Sequence, residues 1–301
     1  MSLLVTGSIG IDTVTTPHGH VEDVLGGSAV YFAFAASQYV PVRLVAAVGA
    51  DFPAEFRQVL GERDIDLAGL EVRPDSKTFR WQGRFEGNMN EVQTLDVSLN
   101  VLAEAPPTVP PAFADTETVF LAATHPALQR ELLIQLSGPR TVVCDTFDLW
   151  IETQREALLE TLRLVTGVII NDAEARQLTG SVNLIDAGEA VLTLGPRFVI
   201  IKKGEHGALL VSAEGATAIP AYQTKDVRDP TGAGDSFAGG VMGYICQTGC
   251  DDYETLRRAM VHGTVAASFA IEDFSLGRVR RVTRDEVNRR ADRFLDMLRI
   301  G

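Results

Sequence analysis

The strongest chemical signal in this 301-residue chain is the string Asp229-Pro-Thr-Gly-Ala-Gly-Asp-Ser-Phe-Ala-Gly-Gly240. Gly232, Ala233 and Gly234 stand just before a run of small and apolar residues that reads as a helix starting near Asp235. With side chains that small, successive backbone N–H groups can approach an anion closely, and a helix N-terminus adds partial positive charge. Asp235, in the first turn, puts a carboxylate beside that cradle. Transfer of a phosphoryl group to a hydroxyl needs both parts: donors for the charge on the moving group and an oriented base for the hydroxyl proton. Taken alone, Gly-Ala-Gly-Asp also suits a glycine-rich turn whose aspartate caps a helix.

Other residues along the chain have types and spacing that could serve such a reaction. Asp12 ends the string Gly7-Ser-Ile-Gly-Ile-Asp12 after the first apolar run. A carboxylate accepts two hydroxyl hydrogens at once and suits a diol, although a turn residue at a strand end explains it too. Gly26-Gly27 precedes a helical pattern, as an ordinary turn would. Asn171-Asp-Ala-Glu174 follows an apolar strand and opens a helix, so its i, i+3 spacing sets an amide and a carboxylate on one face. An asparagine-capped helix with a solvated glutamate has the same spacing. Lys202-Lys-Gly204-Glu-His-Gly207 follows another strand; its glycines suit a tight turn, and Lys202 could add charge at a phosphate. Strand alternation makes Lys203 the more solvated of the two lysines. A plain hairpin turn fits this stretch equally well, as helix packing fits Gly263-Thr-Val-Ala-Ala-Ser268.

Asp229–Gly240 as a whole closely resembles the C-terminal signature of the ribokinase-like (PfkB-type) carbohydrate and nucleoside kinases. The resemblance extends from residue 3 to about residue 275. It implies an α/β fold of three layers, α/β/α, on a mostly parallel sheet with a small β lid. It also implies ATP-dependent transfer of the γ-phosphate to a hydroxyl of a small molecule. In those terms Asp235 is the catalytic base and Gly232, Ala233 and Gly234 form the anion hole. Asp12, Gly26, Gly27 and Tyr31 hold the acceptor. Asn171, Lys202, Gly204, Gly207, Thr231 and Thr264 lie on the nucleotide side. Glu174 organises Mg²⁺ through water, and Asp229 with Thr231 stands where relatives bind K⁺.

Two departures bear on the acceptor. Many sugar-specific relatives carry Asn two places before the first-strand Asp, where this chain has Gly10, and another Asn where Tyr31 sits. Losing both amides, and gaining Phe79 and Trp81 in the lid, favours the nucleoside-kinase branch, since aromatic rings offer a base a stacking face. Core packing is the alternative for Tyr31 and the stronger reading for Phe32. A sugar acceptor of ribose or fructose type is the second reading, and a non-catalytic nucleotide- or sugar-binding protein of the same fold is the third.

The elements that must position these residues follow the rhythm of βαβ units. Leu3–Thr6, Leu44–Val48, Val119–Ala122, Thr141–Cys144, Val168–Ile170 and Phe198–Lys202 are apolar at nearly every place, as strands buried on both faces are. Helical patterns fill 28–38, 53–62, 126–136, 155–164, 173–179, 235–247, 253–270 and 284–298. Segments 13–25 and 78–102 break the rhythm, the second holding strand-like runs about a Gly87-Asn88 turn. They predict a small antiparallel sheet, the lid, within one kinase domain spanning 1–301. Its open strand edges offer a surface for a homodimer.

Composition excludes several classes. Forty acidic against 27 basic residues, a net charge of -13, repels phosphate backbones, so nucleic acid is not an expected partner. Three cysteines without a CxxC pair make neither a disulfide framework nor a zinc site and fit a reducing cytoplasm. The longest apolar run, Ala29 to Gly49, is broken by Ser37, Gln38, Pro41 and Arg43, so no membrane span is expected. Neither a P-loop nor a complete dinucleotide-binding glycine pattern occurs.

Overall fold

Strands that are apolar at nearly every position must be covered on both faces, and here they are. The computed structural model describes residues 1–299. The first half runs β1 (Leu3–Thr6), β2 (Gly10–Thr16), β3 (Gly19–Gly26), α1 (Ser28–Ala36), β4 (Val42–Gly49), α2 (Ala54–Leu60), β5 (Ile65–Arg73), β6 (Phe79–Phe85), β7 (Val92–Ser98), β8 (Thr118–Leu121) and α3 (Pro126–Leu133). It continues with β9 (Thr141–Cys144), α4 (Asp148–Thr153), α5 (Arg155–Leu162), β10 (Gly167–Asn171), α6 (Asp172–Thr179), α7 (Leu184–Leu192) and β11 (Phe198–Lys202). The chain closes with β12 (Ala208–Ser212), β13 (Gly215–Ile219), α8 (Ala233–Thr248), α9 (Tyr253–Ala270) and α10 (Arg284–Leu298).

Nine strands form one sheet in the order β13-β12-β11-β10-β9-β8-β1-β4-β5, parallel from β11 through β5 and antiparallel at the β12–β13 end. Side chains alternate between two cores. Val5, Phe120, Val143, Ile169 and Ile200 face the helices α1, α8 and α9. Leu4, Leu121, Val142, Ile170 and Ile201 face α3, α5, α6 and α7. The result is a three-layer α/β/α architecture with the C-terminal strand ends at one rim. In open sheets of this kind ligands bind beyond those ends. No helix of the described residues is long and apolar enough to cross a membrane.

A second sheet, ordered β3-β2-β6-β7, stands apart from the first. The sequence predicts it as antiparallel throughout; β2 and β6 instead run parallel, Gly10 beside Phe79 and Asp12 beside Trp81. The reason lies in the connection. Between β3 and β6 the chain passes through α1, β4, α2 and β5, and so long a crossover can return in the same direction. The sheet also begins three residues earlier than segment 13, at Gly10, so Asp12 lies within a lid strand. Its free edge β7 leaves Val92, Leu95 and Val97 exposed.

Candidate active site

Gly232 adopts the left-handed region (φ 73°) as the residue before α8, which turns the chain sharply from Pro230 into the helix. The amides of Gly232 and Gly234 find no acceptor among the described residues, so a preformed donor pair faces the rim. Asp229, 1 % exposed, supports the approach: one oxygen accepts from Thr231 N–H at 2.9 Å and the other from Ser275 N–H at 3.4 Å. The Thr231 hydroxyl is buried without a partner. Asp235 sits in the first turn of α8. Burial raises its carboxyl to about 6, the Lys202 ammonium opposing that rise and Asp145 adding to it.

Asp12 lies in β2, its carboxylate against Gly10 and Gly26. It is 4 % exposed, and Oδ1 has no hydrogen-bond partner. Burial lifts its carboxyl to about 7; a backbone bond from Gly27 restrains the rise, and Asp229 and Asp235 add to it. Glycine is required on both sides of this carboxylate. A Cβ on Gly26 would meet Asp12 Oδ2 at 1.8 Å, and one on Gly27 (φ 100°) would meet the Ser8 carbonyl oxygen at 2.5 Å. Ser8 and Ser28 lock the entry to α1, each hydroxyl accepting from the other residue's amide at 2.9 and 3.2 Å.

The neighbouring strand ends carry the rest. Asn171 and Glu174 form a capping box: Asn171 Oδ1 accepts from Glu174 N–H and Glu174 Oε2 from Asn171 N–H, both at 2.8 Å. The helix-cap reading is therefore real, but the solvated glutamate is not. Glu174 is 5 % exposed, and burial and the Asp145 charge lift it to about 8 against the pull of Lys202. Lys202 donates to Asp145 Oδ2 at 2.9 Å. Burial alone would lower its pKa, but Asp145, Glu174 and Asp235 together hold it up at about 12. Beyond it, Gly204 (φ 53°) and Gly207 (φ 83°) close a turn in which Lys203 N–H bonds the Gly207 carbonyl at 2.7 Å. Any side chain at Gly207 would strike the Ile219 carbonyl oxygen at 2.0 Å.

Asp235, the 232–234 amides, Asp12, Glu174 and Lys202 are thus electrostatic neighbours at one rim. Tyr31 is the correction. The sequence predicts a stacking face for a base, but the ring is 2 % exposed and its carbons lie 2.2–2.4 Å from the point where Gly232 would carry a Cβ. Every residue from Ala29 to Ala36 in α1 is buried, so the ring packs beneath the glycine turn as a support. Phe32 is core, stacked on Phe120 at 4.4 Å between centroids. Thr264 is buried in α9. Its neighbour Gly263 lets the backbones of α8 and α9 meet, since a Cβ there would be 2.8 Å from the Phe237 carbonyl oxygen.

Sequence reasoning missed Asp145. Its signal was available: a carboxylate immediately after the buried strand β9, as Asn171 and Lys202 end β10 and β11. It also missed the meaning of Gly10. A Cβ there would fall 2.8 Å from Asp12 Oδ1 and 2.9 Å from Phe79 Cδ1, so the Phe79 ring takes the space beside Asp12 that a longer side chain would claim.

Residues 121–279 match the family model described as pfkB family carbohydrate kinase. A cytidine kinase of Thermococcus kodakarensis is 31 % identical over 249 residues, which is 80 % of this chain and 87 % of that one. Among solved structures, the nucleoside kinase of Burkholderia thailandensis in complex with inosine is similar with a TM-score of 0.78 at 21 % identity, covering 98 % of this chain and 99 % of that one. The aminoimidazole riboside kinase of Salmonella enterica, complexed with aminoimidazole riboside and an ATP analog, gives 0.76 at 20 % identity over 97 % and 100 %. These two likenesses establish the fold.

Proposed function

Because the chain belongs to the pfkB family of carbohydrate kinases, phosphotransferases with a hydroxyl acceptor, we propose that it transfers the γ-phosphoryl group of ATP to a hydroxyl of a nucleoside. The observation that carries the reading is Asp12: a buried carboxylate with a free oxygen, held between Gly26-Gly27 and the aromatic residues of the lid, and electrostatically coupled to Asp235. A ribose diol satisfies Asp12, and a base extends toward Phe79 and Trp81, the two lid residues paired with Gly10 and Asp12. Phe79 beside Gly10 favours a nucleoside over a free sugar, as do the names of the cytidine and nucleoside kinases above.

In this reading Asp235 takes the proton of the acceptor hydroxyl as its oxygen bonds phosphorus. The bond from phosphorus to the bridging oxygen breaks, and ADP leaves with the electron pair. Of the Gly232-Ala233-Gly234 turn, the unpaired amides of Gly232 and Gly234 present the donors that meet the charge on the moving group, while Ala233 N–H bonds the Pro230 carbonyl at 3.1 Å. Asn171, Lys202, Gly204, Gly207, Thr231 and Thr264 line the nucleotide side. The Glu174 donor set fits Mg²⁺ held through water: one oxygen is committed to the Asn171 amide and the other is free, and Mg²⁺ keeps several waters when bound. The ion would neutralise phosphate charge there. The orphaned Thr231 hydroxyl beside Asp229 fits a K⁺ ion. The uncovered edge of β7 supports pairing of two subunits through the lid.

ATP consumption with a panel of nucleosides and free pentoses and hexoses tests the reading. A nucleoside should give the highest kcat/KM. Preference for a free hexose would overturn the acceptor class, and ATP use with none of them would remove the transferase assignment for both.

A further inference from the structure

Asp145 has no part in the reaction just described, yet it is among the most firmly held carboxylates in the protein. One oxygen accepts from Thr146 N–H at 2.8 Å, the other meets Lys202 Nζ at 2.9 Å, and its carbonyl accepts from the buried Gln129 amide at 3.0 Å. Alternation along β9, β10 and β11 puts Val143, Ile169 and Ile200 in the core beneath α8. Two residues further along each strand line, Asp145, Asn171 and Lys202 take that same face. The lysine therefore reaches past the Asn171 strand to Asp145, and its Nζ lies 3.3 Å from the point where Gly234 would carry a Cβ. The ammonium stands at the glycine turn itself.

A buried ion pair adds little to stability relative to an apolar pair of similar size, so the fold alone does not account for this one. An ammonium has three protons to donate; Asp145 takes one and leaves the others for an acceptor at the turn. We propose that Lys202 contacts the transferring phosphoryl group over the Gly232–Gly234 turn and that Asp145 is its positioning residue. The inference rests on the reading that the terminal phosphate of ATP docks at that turn. Lys202 keeps its protons throughout and supplies charge and direction only. Where many members of the family carry Thr, this chain has a fixed cation and, two strands away, the carboxylate that fixes it.

Calorimetric titration of ATP and of ADP, both with Mg²⁺, into the full-length protein tests the assignment without any acceptor. A failure of the nucleoside reading therefore leaves it intact. Lys202→Met should weaken ATP about tenfold or more and ADP by less than about threefold. Equal losses for both nucleotides, or none for either, would overturn the phosphoryl contact. In turnover, Lys202→Met should cost about 10²-fold in kcat, and Asp145→Asn about tenfold with acceptor KM unchanged. In the Lys202→Met background Asp145→Asn should add nothing, whereas an additive loss would make Asp145 a structural residue. Should Lys202→Met fail to fold because it strands Asp145, the double variant Asp145→Asn/Lys202→Met removes both charges and carries the same ATP-against-ADP readout.

Discussion

Oδ2 of Asp12 lies 1.8 Å from the point at which a side chain on Gly26 would begin. Carboxylate and glycine are therefore one unit, and neither can change without moving the other. Gly26→Ala should fold, because the atoms its Cβ would meet all belong to the Asp12 side chain, not to backbone, and can give way. It should raise acceptor KM by about tenfold or more while leaving ATP binding within about twofold. Steady-state kinetics with each substrate varied in turn decides it; an unchanged acceptor KM would separate Asp12 from the acceptor.

Asp12 is also held at a cost to the fold. Its carboxyl is raised from 3.8 to about 7, chiefly by burial. Between those values the folded protein binds more protons than the unfolded chain, so stability falls as pH rises from about 4 to about 7. A tenfold change in proton affinity is worth roughly 1.4 kcal/mol, so the full effect is on the order of a few kcal/mol. Asp235 and Asp229 are raised for the same first reason and slope the same way. Glu174, raised to about 8, slopes the same way over a higher window, and Asp12→Asn should remove the Asp12 share alone. Denaturant titrations at pH 5 and pH 8 should show the variant losing less stability between them than wild type. Parallel losses in the two proteins would mean that burial does not raise the Asp12 carboxyl.

How much of this was legible in the chain depended on whether a residue's role is local. LLVT, TVVC and FVIIK are strands at the predicted bounds because burial on both faces leaves polar residues only at their ends, Thr6, Thr141 and Lys202. Asp235 and the 232–234 turn were legible because a helix start and its anion nest are contiguous in sequence. The misses are non-local. α7 (LIDAGEAVL) contains Gly188, which looks like a breaker until Val211 of β12 is seen 2.6 Å from where its Cβ would be. β5 carries charged residues among its apolar ones and is an edge of the main sheet. Tyr31 belongs to a helix buried on all sides, which offers no polar face to orient it. Asp145 gains its meaning from a lysine 57 residues later, two strands over.

The base assignment carries a pH signature. Asp235 titrates near 6 and Asp12 near 7, and both must be ionised to accept hydrogen from the acceptor's hydroxyls. With Mg²⁺ saturating, so that Glu174 stays ionised, the acid limb of kcat/KM should therefore fall below about pH 7 with a slope steeper than one proton. In Asp12→Asn the residual activity should fall with a slope of one, nearer pH 6. Asp235→Asn keeps the shape but cannot take the proton, and turnover should drop about 10²-fold or more with ATP binding retained. Near-normal turnover in that variant would remove Asp235 from the proton path.

The tip of the lid reaches the nucleotide side. Asn90, just beyond the hairpin turn between β6 and β7, donates to Glu205 Oε1 at 2.7 Å, and its own Oδ1 lies 3.5 Å from where Gly204 would carry a Cβ. The same end of the lid also packs on the large unit, through Val14, Phe85 and Met89 with Trp81 against Val227 and Phe274. The acceptor-side lid is thus latched to the turn after β11, a turn shaped by its two glycines. A kinase gains from closure because water competes with the hydroxyl for the γ-phosphate. An exposed bond of this kind shifts an equilibrium by only a few-fold, so the effect should be modest and specific. Asn90→Ala and Glu205→Ala should each raise the ratio of ATP hydrolysis to phosphoryl transfer by about two- to fivefold, and the double variant should do no more than either alone. Melting temperature should stay within about 2 °C, since neither side chain is part of a core. A ratio unchanged in both single variants, or additive effects in the double, would show that the contact does not couple lid closure to the nucleotide side.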